Sequence, residues 1–212
     1  MPELVSEAED ATPEHNSLGG APAPPKPVGV RPPKQPKTVN RFGKGVKFDM
    51  RDYCTDCCKH YTTLTGDANI KLASTPFPPD GSISKNDYES RGELEKHACS
   101  LVMKCLWVGR LARPDLKKPP CDLSQKFTKW SKADDIKLRR LIGYIERSRD
   151  FVMRGYVGDS LRNCHIAACV DADFCGEVEH TRSTSGMVVV LRGPNTWFPL
   201  AWVSKKQSST AR

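Results

Sequence analysis

The chain has 212 residues, a formal net charge of +8 and 38% hydrophobic residues, and its mean hydropathy is −0.53. The apolar fraction is low for a chain that folds throughout, so it predicts a small globular part or a long unfolded segment. The positive charge favours a polyanion such as nucleic acid as partner, with a solvated basic surface as an equally good alternative. No apolar run approaches the roughly 18 residues of a membrane helix, which argues against a membrane protein.

The composition predicts that residues 1–48 form a disordered, Pro-rich, basic arm. Nine of the 17 prolines lie within residues 1–36, and bulky apolar residues are nearly absent there, so burial cannot offset the entropy of ordering. From Asn16 to Phe48 the chain carries seven Lys and Arg and no acid. This stretch is an electrostatic arm for RNA or DNA in one interpretation and a plain linker in the other.

Nothing at the N-terminus resembles a secretory signal. Met1 to Asp10 is acidic and lacks an apolar segment. The nine cysteines are odd in number and irregularly spaced, which favours free thiols in a reducing compartment. We therefore expect an intracellular protein of the cytoplasm or nucleus.

Residues 49–90 are rich in cysteine and then in turn-forming residues, and we interpret them as a linker. A zinc site would use Cys54, Cys57, Cys58 and His60. The spacing argues against zinc, because these residues crowd into one short segment and no second pair follows at a standard interval. The sequence leaves the role of these cysteines open.

Residues 91–156 are predicted to be helical. Ser90 and Glu93 have the spacing of a capping box, and an apolar stripe follows at Leu94, Ala98, Leu101, Cys105, Val108 and Ala112 until Pro114 ends the helix. A short helix is expected over Asp122–Trp130. A second start at Ser131 and Asp134 precedes an apolar face formed by Leu138, Leu141, Ile142 and Ile145.

Basic side chains lie around that last helix. Arg139, Arg140 and Arg147 are candidates to contact a nucleic-acid backbone. The commoner explanation for such residues is a solvated helix face. The sequence pattern alone favours that second interpretation.

Short apolar runs then predict strands. Phe151–Tyr156 is one candidate, Cys164–Val170 reads as a buried strand, Gly186–Leu191 reads as a central strand, and Trp197–Ser204 follows a turn. The last three, with short connections, predict an antiparallel meander. The overall expectation is an α+β chain with a disordered arm, a small helical region and a three-stranded antiparallel sheet.

Asp171 stands at the end of the first strand of this meander. Alternation places it on one side of the strand with Ala167, Cys169 and Asp173. A carboxylate at the end of a buried strand is costly unless a metal or a partner neutralises it, which makes Asp171 a candidate metal ligand. An acid that simply points to water is the alternative that the pattern by itself favours.

Three segments in this region resemble, in order and spacing, the RNase H domain of copia-type retrotransposon polyproteins. They are Val170-Asp171-Ala172-Asp173-Phe174, Thr181-Arg182-Ser183-Thr184-Ser185-Gly186 and Ala201-Trp202-Val203-Ser204-Lys205-Lys206-Gln207. Upstream, Cys99–Met103, Ala112–Leu116 and Leu138–Asp150 are similar to segments at the end of the family's reverse transcriptase, and Lys71–Pro76 matches more faintly. The resemblance covers residues 70–212.

The resemblance implies a domain plan and a chemistry. Residues 91–156 would be the helical tail of a reverse transcriptase, and residues 161–212 the N-terminal half of an RNase H-like domain. The family's RNase H cleaves the RNA strand of an RNA/DNA hybrid with paired Mg²⁺ ions. Asp171 matches a family metal ligand and catalytic residue, and Arg182 in the second motif joins the candidate nucleic-acid contacts.

The match to the family's catalytic groups is incomplete. Asp173 corresponds to a common family residue that is not credited with metal binding. The next ligand is a Glu in a helix that would follow Arg212, and the reverse transcriptase's Tyr-x-Asp-Asp pair is not found. We therefore expect no nuclease or polymerase activity, and an uncovered sheet face prone to self-association. The alternative is a non-catalytic, nucleic-acid-binding retroelement remnant.

Overall fold

The computed structural model describes residues 44–79, 81–173 and 184–207. All of these residues belong to one unit of the fold, Lys37–Arg212. These residues contain both helices and an antiparallel sheet, so the α+β class is confirmed. None of the helices within them has the length and apolar character to cross a membrane.

The helices precede most of the sheet in the chain. They are α1 (Arg51–Thr65), α2 (Lys85–Glu89), α3 (Glu95–Leu111), α4 (Lys118–Ser124) and α5 (Lys132–Arg147). Single 3₁₀ turns lie at Pro114–Leu116, Phe127–Lys129 and Leu161–Asn163. The strands are β1 (Lys44–Phe48), β2 (Met153–Val157), β3 (His165–Asp173), β4 (Thr184–Gly193) and β5 (Thr196–Lys206).

The predicted apolar stripes of α3 and α5 form the core. All six stripe positions associated with α3 are at most 5% exposed, and the four on α5 are fully buried. Burial of each such side chain contributes roughly 1.5–3 kcal/mol relative to exposure. Pro114 starts a 3₁₀ turn just beyond the end of α3. Its missing N–H and fixed φ are tolerated at the first position of a helical turn but not within a helix.

The region predicted as a Cys-rich linker instead contributes a core helix, so that part of the interpretation is wrong. Cys54, Cys57, Cys58 and Tyr61 are all at most 4% exposed and face α3 and α5. Their spacing is i, i+3, i+4, i+7, the pattern of a buried helix face. A free cysteine packs as a small hydrophobic residue, so this stripe was present in the sequence.

The two predicted helix starts had different outcomes. The capping box at Ser131 and Asp134 is confirmed. The capping box predicted at Ser90 and Glu93 is wrong. Ser90 follows the last residue of α2, and its hydroxyl donates to the carbonyl of Asn86 within that helix.

The start of α3 is instead capped from α5. The carboxylate of Asp135 accepts hydrogen bonds from the backbone N–H groups of Glu93 at 2.6 Å and Leu94 at 3.2 Å. It also accepts one from the Trp130 indole at 2.6 Å. A carboxylate is favourable at a helix N-terminus because it meets unpaired N–H groups and the positive end of the helix dipole.

The sheet is larger than predicted. Its order is β1-β2-β5-β4-β3, with every pair antiparallel. The predicted meander is confirmed as β3, β4 and β5, and the strand predicted near Phe151–Tyr156 is β2. Because β1 pairs with β2 along Lys44–Phe48, the last five residues of the predicted disordered arm are a strand. Residues 1–43 of that arm lie outside the described residues.

The prediction that Cys164–Val170 is buried is wrong, although the strand itself is present. Among the described residues β3 pairs only with β4 and therefore forms an edge of the sheet. Ile166 is 70% exposed and Val170 is 69% exposed. An apolar run is compatible with a strand that is buried on both faces. Whether it is buried depends on which strands and helices lie beside it, and the run itself does not specify them.

The sheet contacts the helices at Trp202. The Trp202 indole on β5 donates a 2.7 Å hydrogen bond to the Gly109 carbonyl in the last turn of α3. A side chain at Gly109 would place its Cβ 2.5 Å from the Leu116 carbonyl oxygen, so glycine is required by a close approach of two backbones.

Candidate nucleic-acid and metal site

The three motifs of the sequence meet in one row across the sheet. Asp171 on β3 is the register partner of Gly186 on β4, and Gly186 is the partner of Ser204 on β5. Segments separated by 15 or more residues in the chain are therefore neighbours in space. The row lies toward the ends of β3 and β5, where the polar parts of all three motifs gather.

A cleft of about 340 Å³ lies beside this row. The sheet lines it with Asp171, Trp202 and Ser204, among others. The opposite wall comes from the segment after α3 and the first residue of α4, and it includes Asp115, Lys117 and Lys118. The cleft thus lies between parts of the chain that are more than 50 residues apart, with Asp171 on one wall and Lys117 on the other.

Asp115 is already committed to a structural network. It forms an ion pair at 2.6 Å with Arg113, whose side chain is only 3% exposed, and accepts a 2.9 Å hydrogen bond from the Tyr144 hydroxyl. Burial by itself raises the pKa of the Asp115 carboxyl, but the hydrogen bond and the charge of Arg113 outweigh it and hold this pKa below the usual range. Asp115 is therefore ionised and paired at neutral pH.

Arg113 links this segment to the end of α5. It donates 2.8 Å hydrogen bonds to the carbonyl and the hydroxyl of Ser148, and its guanidinium stacks 5.3 Å from the centroid of Phe151. A buried guanidinium is tolerated only when its donors find acceptors. Those contacts fix the segment that carries the cleft's second wall.

The described residues do not fit a pair of Mg²⁺ ions. Two-metal hydrolysis needs several carboxylate oxygens at one point. Asp171 is exposed, Asp115 is bound to Arg113, and within 44–79, 81–173 and 184–207 no three His, Cys, Asp or Glu side chains are grouped to hold a metal. Asp171 remains a predicted metal ligand, but the described residues do not supply the further ligands that a cation site needs.

Two of the predicted nucleic-acid contacts are engaged within the chain. Arg139 pairs with Glu93 at 3.2 Å, and Arg140 donates to the Phe77 carbonyl at 2.6 Å and to the Thr75 hydroxyl at 2.8 Å. Both therefore tie α5 to preceding segments.

The other two predicted arginines are Arg147 and Arg182. Arg147 is exposed in the last turn of α5. Arg182 lies outside the described residues. Of the four, Arg147 is the exposed side chain that has no ion pair or side-chain hydrogen bond to any other described residue.

The cysteine-rich segment offers no shared ligand point. Cys54, Cys57 and Cys58 lie in the core, whereas the His60 ring bonds the Ser100 hydroxyl at 2.7 Å on the outside. Burial raises the pKa of the Cys54 thiol to about 11, and it raises that of Cys58 further. The thiols of Cys54 and Cys58 are therefore protonated, and all three cysteines act as core residues.

The sequence reasoning missed Lys117 and Lys118 as residues of the Asp171 cleft. Lys118 pairs with Asp122 at 2.8 Å, whereas Lys117 has no ion pair among the described residues. A Lys-Lys pair before two prolines carries no distinctive signal, and only the packing of the α3–α4 segment against the sheet places it near Asp171.

In comparisons of sequence and of fold, no protein-family model, no curated protein and no solved structure matches this chain.

Proposed function

We propose that this chain is a piece of a copia-type retrotransposon polyprotein, in which residues 91–156 end a reverse transcriptase and residues 161–212 begin an RNase H-like domain. The family role would be reverse transcription and cleavage of RNA/DNA hybrids. The observation that supports this best is the row of Asp171, Gly186 and Ser204. The three motifs, which follow one another in the sequence, are adjacent in the antiparallel meander, as parts of one site would be.

The carboxylates available beside the cleft are too few for us to expect hydrolysis by the chain itself. One exposed carboxylate does not hold two divalent ions in a fixed geometry. The second carboxylate of the cleft, Asp115, is held by Arg113 and Tyr144. We therefore expect no turnover from the chain by itself, and the family role would require further carboxylates that the described residues do not supply.

A non-catalytic nucleic-acid-binding remnant is the second candidate. It is favoured by the position of Lys117 and Lys118 on the wall facing Asp171, together with the net charge of +8. Ammonium groups on one wall of an open cleft suit phosphate oxygens, which they bind with release of counterions.

The two candidates are separated by an assay with a labelled RNA/DNA hybrid. We expect salt-dependent binding and no cleavage when Mg²⁺ is added. Lys117→Ala should weaken binding and lower the slope of log K against log salt by about 0.9. Lys59→Ala, on the exposed side of α1, is the matched control and should leave both quantities unchanged.

Each outcome has a meaning. Mg²⁺-dependent cleavage that Asp171→Asn abolishes would support the family role and would show that our argument for inactivity is wrong. Absence of salt-dependent binding to hybrid, RNA and DNA alike would contradict both candidates.

A further inference from the structure

The edge of β3 is the feature that the proposed function does not use. Among the described residues β3 bonds only to β4, so alternate backbone N–H and C=O groups point away from the sheet. The strand His165–Asp173 has nine residues, which is long for an edge. It contains no Lys, no Pro and no bulge against β4, which are among the devices by which proteins block edge pairing, and its acidic residues lie only at its end.

The outer face of this strand is apolar. Trp202 contacts α3, so the residues in its row of the sheet, Cys169 among them, face the helices. Ile166, Ala168 and Val170 alternate with Cys169 and therefore face away. Ile166 and Val170 are the two most exposed apolar side chains of the sheet, at 70% and 69%.

Charge is distributed unequally along the strand. Its beginning is basic, with His165 and with Arg192 as the register partner of His165 on β4. Its end is acidic, with Asp171 and Asp173. Antiparallel pairing with an identical strand sets a basic start against an acidic end, whereas parallel pairing sets like against like. The charge pattern therefore complements a second copy of the same strand in one direction.

We propose that β3 pairs antiparallel with β3 of a second copy of this chain, about a two-fold axis at Cys169, and joins the two sheets into one. Full overlap of the nine residues sets His165 opposite Asp173 of the second copy and Cys169 opposite itself. Val170 then lies opposite Ala168 and diagonally next to Val170 of the second copy, which extends the apolar strip. This interface is isologous and closed, so it yields a dimer and no further growth along the edge.

The first test measures the dimerisation constant of the full chain by sedimentation equilibrium. We expect a monomer–dimer equilibrium that Val170→Lys weakens at least tenfold, because it sets two ammonium groups near the axis. Val203→Lys is the matched control: it lies in the same row of the outer face but two strands away and should leave the constant unchanged. A chain that is monomeric throughout, or an equal loss with Val203→Lys, would overturn edge pairing.

The second test checks the register. In the proposed pairing the Cα atoms of the two Cys169 residues lie roughly 4.5–5.5 Å apart, so a short bismaleimide should link them into a covalent dimer. Cys169→Ser should abolish this product, and Cys99→Ser, at the exposed cysteine of α3, should retain it. A dimer in sedimentation without a Cys169 cross-link would exclude this register. Neither test involves nucleic acid, so the result is independent of the proposed function.

Discussion

Replacement of Arg113 by Met tests the network that supports the cleft. The change keeps a long apolar stem but removes the guanidinium, whose side chain is 3% exposed. The change removes the ion pair with Asp115 and leaves the carbonyl and hydroxyl of Ser148 without their donor. Breaking a buried ion pair by removing one partner typically costs about 3–5 kcal/mol.

We expect the lower end of that range, about 3 kcal/mol, because water reaches Asp115, which is 36% exposed. For a chain of this size the corresponding fall in Tm is about 6–12 °C. The measurement is urea unfolding followed by tryptophan fluorescence. Arg147→Met, at an exposed position of α5, is the matched control and should change stability by less than about 0.5 kcal/mol.

A double-mutant cycle shows whether the pair itself matters. Once Arg113 is Met, the further change Asp115→Asn should cost less than it does in the unmodified chain, with a coupling of about 1–3 kcal/mol. Additive effects of the two substitutions, or a loss below about 1 kcal/mol for Arg113→Met alone, would refute the structural role assigned to this network.

Three further predictions concern stability. Trp202→Phe removes the hydrogen bond to Gly109 and should lower the free energy of unfolding by about 1 kcal/mol, measured by urea titration. Asp135→Asn should cost about 2 kcal/mol, because a neutral amide caps α3 less well than the carboxylate does; no loss would argue against that cap. The pKa of Asp115 is held below its ordinary value of 3.8 by Arg113, so its contribution is complete above about pH 4 and is lost as pH falls through the lowered pKa. The stability difference between the unmodified chain and Asp115→Asn should therefore shrink as pH falls from about 5 to 2, and a difference that grows would contradict this sign.

Local patterns predicted several elements correctly. The stripe that contains Leu101 and Val108 indicated α3, and the Ser131 and Asp134 pair indicated the start of α5. Such signals lie within a few residues of one another, because helix periodicity and capping depend on neighbours along the chain. The apolar stripe of α1 was not predicted, because three of its four members are cysteines, which also suggest metal ligands.

Other features depend on segments that are distant in sequence. Asp135 caps a helix that starts about 40 positions earlier, and Arg113 bonds Ser148, 35 positions later. An Asp within a helix and an Arg before a Pro have many possible partners. Only the packing of the helices around one shared core selects one.

For the candidate site, the sequence by itself determined which motifs occur, in what order, and that Asp171 lies near the end of a strand, which continues to Asp173. The tertiary structure decided that this strand is an edge, that Gly186 and Ser204 complete its row, and that Lys117 faces the same cleft. The physical reason is that strand alternation is a local property, whereas sheet order and the closure of a cleft depend on contacts between remote segments.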